Sequence, residues 1–211
     1  MKTRKTIPTE VLIELLQHYY PEAKCSLNFT NPGELLIATI LSAQCADDRV
    51  NRVTKVLFEK YKNLNAFASA NLEELEIDIH STGFYKNKAR NIINCCKSIN
   101  DNFSGTVPDN LDDLIGLSGV GRKTANVVMG NAFHKASGVV VDTHVSRLTQ
   151  RMGLTRQKTP EKIEQDLNKL IPKKHWIQFS HWLILHGRKV CTARSPNCSS
   201  CFLDELCPKR I

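Results

Sequence analysis

Leu117-Ser118-Gly119-Val120-Gly121-Arg122-Lys123-Thr124-Ala125 is the stretch around which the rest of the chain falls into place. A helical pattern precedes it, opening near Asp109 with Leu111, Leu114 and Ile115 on one face, and a second helix opens at Arg122. Gly119 and Gly121 let the backbone turn sharply between the two. They also leave bare N–H groups at the mouth of the second helix, where the positive end of the helix dipole points. Such a turn is a cradle for an anion. Because a helix stands on both sides and the G-x-x-x-x-G-K-[ST] spacing is absent, it is not a nucleotide P-loop. The plain alternative is a tight interhelical turn that binds nothing.

Outward from this turn, nearly every segment carries a helix start signal. Pro8-Thr9-Glu10 precedes Val11, Leu12, Leu15, Leu16 and Tyr19 at helical spacing, and Pro21 stops the run. Asn31-Pro32-Gly33-Glu34 supplies an N-cap, a proline at the first helical position and the acidic residue of a capping box, ahead of Leu36, Ile37, Ile40 and Leu41. Further starts fall near Asp47-Asp48, Asn71, Lys86, Asp142, Thr159-Pro160 and Lys174. Gly138 to Val141 is the one strand-like run, too short to build a sheet. The pattern predicts an all-α protein of about ten helices with short loops. His134-Lys135-Ala136-Ser137-Gly138 reads as a connector, which places a candidate domain boundary around residues 133 to 138.

The 211 residues are 41% hydrophobic and 24% charged, with 10 Gly and 8 Pro spread along the chain, a composition that excludes the disordered and collagenous classes. Lys and Arg number 29 against 21 Asp and Glu, and the resulting +8 favours a polyanionic partner, nucleic acid ahead of an anionic membrane surface. With that partner the glycine turn has the look of a helix-hairpin-helix, a clamp on DNA backbone phosphates without sequence preference. Glu10 and Glu14 interrupt the apolar residues behind Lys2, Arg4 and Lys5, so no signal-peptide core is expected. Leu35 to Leu41 falls far short of the roughly 20 apolar residues that span a bilayer.

Cys191, Cys198, Cys201 and Cys207 form a C-x6-C-x2-C-x5-C pattern, whereas Cys25, Cys45, Cys95 and Cys96 have no metal spacing and read as small buried hydrophobes. Four thiolates in a loop with Pro196, Ser199 and Ser200 suit either a four-cysteine zinc site or a [4Fe–4S] cube, and the spacing leaves both open. Disulfides are a distant third in a chain with no export signal. Arg188, Lys189, Arg194, Lys209 and Arg210 outnumber Asp204 and Glu205 around this loop, which suits a surface facing phosphates or a merely solvated cationic tail.

Lys123 lies one turn into the second hairpin helix, with no acid between Val120 and Lys135. The helix N-terminus and Arg122 both disfavour the ammonium form, so its amine is expected to be a competent nucleophile, or else a simple phosphate contact. Farther on, Val139-Val140-Val141-Asp142-Thr143-His144-Val145 runs an apolar segment into an acid at a helix start. Asp142 is expected as an N-cap and, beyond that, as a carboxylate facing the nucleophile.

LSGVGRKTA at 117–125, VDTH at 141–144 and His186-Gly187-Arg188 ahead of the 191–207 cysteines, in this order and spacing, resemble the endonuclease III family of base-excision DNA glycosylases and AP lyases. The likeness covers nearly the whole chain. It implies a two-lobed helix-hairpin-helix glycosylase fold, with a six-helix barrel over residues 25–136 and an iron–sulfur domain from residues 1–24 and 137–211. It implies a [4Fe–4S] cluster on Cys191, Cys198, Cys201 and Cys207. The implied substrate is double-stranded DNA with damaged pyrimidines or abasic sites, held in a cleft between the lobes, with Gly119, Val120, Gly121, Arg122 and His144 at the DNA. On this pattern Lys123 attacks the glycosidic carbon of a flipped nucleotide and forms a Schiff base, and β-elimination nicks the strand 3′ to the lesion. Asp142 stabilises the cationic sugar, and Gln44 and Phe84 fill the hole left by the flipped base. A cytoplasmic, nucleoid-associated monomer with no membrane partner is expected.

Three places depart from the family pattern. Ser118 stands where proline is common and is expected to loosen the turn slightly. Cys45-Ala46 replaces Ala-Thr and Phe84 replaces leucine, which bears on the range of lesions rather than on the reaction. Related adenine glycosylases lack the lysine that Lys123 supplies here.

Overall fold

The structure, a computed structural model, describes residues 6–209. Its helices are α1 (Thr9–Tyr19), α2 (Pro32–Leu41), α3 (Asp47–Lys60), α4 (Leu64–Ala68), α5 (Leu72–Asp78), α6 (Tyr85–Phe103), α7 (Leu111–Ile115), α8 (Arg122–Ala132), α9 (Thr143–Arg151), α10 (Pro160–Leu170) and α11 (Trp176–Lys189). Single 3-10 turns lie at His80–Thr82, Lys173–His175 and Cys198–Ser200. Among the described residues there is no strand and no helix long and apolar enough to cross a membrane. The chain divides into two compact units, Cys25–Ser137 and Met1–Lys24 with Gly138–Ile211.

The Cys25–Ser137 unit is built around α2, in which every residue from Leu35 to Leu41 is buried. Instead of the one apolar face expected from Leu36, Ile37, Ile40 and Leu41, α2 is covered on all sides, as a helix apolar all round must be. Helix α6 is two-faced, sending Ala89, Ile92, Cys96 and Ile99 into the same core as Val50, Leu57, Phe67, Leu75 and Leu114. Asparagines start four of the helices here: Asn31, Asn63, Asn71 and Asn110 each accept a first-turn N–H.

One local expectation needs correction. Glu34 does not close its capping box on Asn31, because its carboxylate takes the N–H and hydroxyl of Thr30 at 2.7 and 2.9 Å. Helix α7 starts near Asp109, as expected, with Asn110 as its cap and Asp109 paired with Lys135. Helix α4 was not anticipated, although Asn63 caps it and Leu64, Phe67 and Ala68 follow at helical spacing within its single turn.

The second unit packs α1 and α9 against α11 around Leu12, Leu16, Val145, Leu148, Ile163, Phe179 and Leu183. The run at Gly138 to Val141 forms no strand. Its donors go to side chains instead: Val139 N–H to Asn168 Oδ1 and Val140 N–H to Ser180 Oγ, each at 3.0 Å.

Candidate functional site

The glycine turn joins α7 to α8 and is pinned from below. Leu117 and Val120 are each only 5% exposed, and the Val120 N–H donates to Leu117 O at 3.1 Å. The Val120 side chain therefore belongs to the core, and its N–H is engaged within the turn. Gly119 sits at φ +76°, and a Cβ there would fall 2.8 Å from Cβ of Asn91 on α6. Gly121 differs: its φ is −86° and a Cβ would meet nothing within 4 Å. Ser118 does not loosen the turn as expected, because its hydroxyl donates to Asn91 Oδ1 at 3.1 Å and ties the turn to α6. Beyond it α8 has no side-chain cap and no acid in its first turn, and Arg122 and Lys123 are exposed at its first two positions. Open helix-terminal donors beside two cations are an anion site in the chemical sense.

Gln44 and Phe84 are exposed and share an unusual backbone. Gln44 has φ +52° and Phe84 has φ +49°, a left-handed conformation that costs a non-glycine residue on the order of 1–3 kcal/mol. Phe84 is 63% exposed, so it is no core aromatic. Each residue closes a short turn, Gln44 after the end of α2 and Phe84 just ahead of α6. Nearby, and passed over in the sequence, the Lys88 ammonium is buried among apolar residues of α6 and donates to Leu41 O and Thr82 O.

In the other unit Asp142 is half-buried at the N-cap of α9, its Oδ1 accepting the Val145 N–H at 2.8 Å. The capping role is thus present. Among the described residues its second oxygen has no hydrogen bond. His144 is half-buried against Gly187, where a Cβ would come within 2.8 Å of His144 Nδ1, and Arg147 Nη2 lies 3.2 Å from the same nitrogen. Burial holds the imidazole below its ordinary pKa, with Asp142 opposing and Arg147 and Arg188 reinforcing.

Farther along α9, Arg147 and Arg151 grip the start of the cysteine loop. Arg147 Nη2 donates to Gly187 O at 3.1 Å and Cys191 O at 2.9 Å. Arg151 donates to Thr192 O at 2.7 Å, Ala193 O at 2.9 Å and Cys191 Sγ at 3.4 Å. Neither arginine stood out in the sequence. Two cations four residues apart, next to the buried stripe Val145, Leu148 and Met152, were the available signal.

All eight cysteines are free thiols, and Cys191, Cys198, Cys201 and Cys207 line one recess together with Met152, Val190 and Leu203. The donor set fits an iron–sulfur cluster. Burial, assisted by the other three thiols of the set and opposed by the Leu203 N–H, pushes Cys201 up to about 11, and burial raises Cys207 as well. Thiols crowded in this way become thiolates only against a strongly positive centre, which a metal core supplies. Main-chain N–H of Leu203, 3.4 Å from Cys201 Sγ, and the Arg151 guanidinium at Cys191 Sγ are the kind of sulfur contacts that support such a cluster.

A family model described as HhH-GPD superfamily base excision DNA repair protein matches residues 37–173, and one for the iron-sulfur binding domain of endonuclease III matches residues 191–207. Endonuclease III of Synechocystis sp. is 52% identical over 208 residues, covering 99% of this chain and 94% of that protein. The Bacillus subtilis endonuclease III is 45% identical over 199 residues, covering 94% and 90%. A solved structure of a trapped endonuclease III–DNA covalent intermediate matches with a TM-score of 0.89 at 45% identity, over 98% of this chain and 96% of that one. The choice between zinc and iron–sulfur falls to iron–sulfur, since residues 191–207 are the family's cluster segment. With likeness at this level over its whole length, the chain belongs to the endonuclease III family of HhH-GPD base excision repair proteins, and is a DNA glycosylase with AP lyase activity that carries a [4Fe–4S] cluster.

Proposed function

We propose that this glycosylase removes oxidised pyrimidines from double-stranded DNA and nicks abasic sites, acting as a cytoplasmic monomer on nucleoid DNA. Lys123 is the nucleophile in this reading and Asp142 the carboxylate that supports it. Cys191, Cys198, Cys201 and Cys207 hold the cluster, which braces the loop and takes no part in the steps below.

A glycosidic carbon inside a stacked duplex is out of reach, so the damaged nucleotide must leave the helix. Gln44 and Phe84, exposed on their two turns, fill the space it vacates. Backbone N–H groups around Gly119 and Gly121, with Arg122, hold phosphates without reading sequence. The neutral Lys123 amine attacks C1′ as the C1′–N bond breaks, and the base departs with the bonding pair and takes up a proton. Asp142 offsets the positive charge that develops on the sugar. Ring opening yields a C1′ Schiff base with Nζ. Loss of a C2′ proton then expels the 3′ phosphate, and water releases the lysine.

The observation that carries this reading is the start of α8, an uncapped helix with Lys123 exposed at its second position directly after a glycine turn. Borohydride trapping on a panel of duplexes tests it. Covalent adducts are expected with oxidised pyrimidines and abasic sites. Equal or faster trapping on an oxidised purine would overturn the assignment of lesion class.

A further inference from the structure

Lys88 is only 4% exposed, on the face of α6 that otherwise sends Ala89, Ile92 and Cys96 into the core. Lysine is almost never so placed unless paired. No carboxylate pairs with it among the described residues, and its Nζ instead donates to two main-chain oxygens, Leu41 O and Thr82 O, each at 2.8 Å. Burial lowers its pKa, with Cys45 pulling the other way.

The identity of the two carbonyls is the informative point. Leu41 ends α2, and the turn Ser42-Ala43-Gln44 that follows leads into the left-handed Gln44. Thr82 ends a 3-10 turn, and Gly83 then leads into the left-handed Phe84. One ammonium therefore joins the roots of two turns that are distant in sequence. Carbonyls at helix ends are orphan acceptors at the negative pole of a dipole, which makes a buried cation tolerable at this place. The Phe84 turn has a second hold, since Arg49 on α3 donates to Ser81 O at 3.2 Å. An apolar side chain of similar length would fill the same volume without an ionic desolvation cost. It could not fix two backbone oxygens against each other.

We infer that Lys88 is a positioning residue that ties the Gln44 turn to the Phe84 turn, so that the two side chains enter the duplex as one wedge. The inference rests on the reading of Gln44 and Phe84 as the groups that fill the vacated space.

The test measures single-turnover base excision from a lesion duplex alongside nicking of an abasic site in single-stranded DNA, where there is no duplex gap to fill. Lys88→Met is expected to slow duplex excision by about tenfold, in line with what a small misplacement of positioning groups costs. Its single-strand nicking should stay within about twofold of the parent. In a Gln44→Ala/Phe84→Ala chain, itself slow on duplex, adding Lys88→Met should cost nothing further, because residues acting through one another are not additive. Lys88→Gln, which keeps a donor in the site, should fall between the parent and Lys88→Met, and serves if the latter does not fold. Equal slowing of both reactions, or a full additional loss in the triple variant, would show that Lys88 only supports the fold. Parent-like duplex excision by Gln44→Ala/Phe84→Ala would instead remove the wedge reading, and the inference with it.

Discussion

Helix α8 begins at Gly121 with no side chain on its first N–H groups and with Arg122 and Lys123 exposed, whereas α9 begins at Asp142, whose carboxylate accepts the Val145 N–H. Every helix start leaves several donors without an intrahelical partner. At α9 the protein satisfies one of them internally, with a charge that also suits the dipole. At α8 it leaves them open and places cations where the dipole disfavours them. A helix start without a side-chain cap is one that an anion from outside would complete, as the proposed function requires. The two candidate catalytic residues consequently differ in what they hold up: Lys123 has no structural duty visible in its own unit, and Asp142 has one.

The largest effect tests the α8 side of this contrast. Lys123→Gln should abolish borohydride trapping and strand nicking while melting temperature and binding to damaged duplex stay near the parent's, because the chemistry loses its amine and the fold loses nothing. Residual trapping by this variant would move the nucleophile elsewhere.

Asp142→Asn comes next and separates the two duties of α9. The amide still caps the helix, so stability should hold, yet it carries no charge against the developing cationic sugar, and single-turnover excision should fall on the order of 10²–10³-fold. Asp142→Ala should add to this about 1 kcal/mol of lost stability from the missing cap. An Asn variant within a few-fold of the parent would leave Asp142 a helix cap and nothing more.

The far end of α9 grips the cysteine loop, so the next effect concerns that loop. The purified protein should be brown with about four irons per chain. Cys198→Ser should reduce solubility or DNA affinity before it slows the chemical step of the bound complex. A cluster-free protein with parent-like affinity would contradict this.

The smallest effects divide the two hairpin glycines. Gly119→Ala forces a side chain into φ +76° and against Asn91, which should cost about 1–2 kcal/mol of stability and weaken binding as the turn shifts. Gly121→Ala has room for its methyl group, so its melting temperature should match the parent's while DNA affinity falls several-fold, through the lost close approach of phosphate to the backbone. Parent-like binding by Gly121→Ala, in titrations run at low salt where phosphate contacts weigh most, would deny the open start of α8 its role.

Much of this was legible in the chain because it is local. Asn31 and Asn71 announce their helices through side chains that bond two or three residues ahead, and Asp142 does the same. The hairpin announces itself because φ +76° at Gly119 is a demand on a single residue type. At α4 the same kind of signal, Asn63 ahead of Leu64, Phe67 and Ala68, is confined to a single turn and was passed over.

Sequence by itself therefore determined the all-helical class, most helix starts, the hairpin, the cysteine set and the family. Each of these is written in residue types at short, fixed spacing. Tertiary structure alone decided that α2 is covered on every side, that Ser118 is tied to Asn91, and that Phe84 stands exposed in a left-handed turn. It alone gave Lys88, Arg147 and Arg151 their partners. Most of those partners are main-chain carbonyls, Leu41 O, Thr82 O, Gly187 O and Cys191 O among them. Every residue carries the same carbonyl, so no side-chain pattern can mark the one that a buried cation will meet; only the packing of distant segments brings them together.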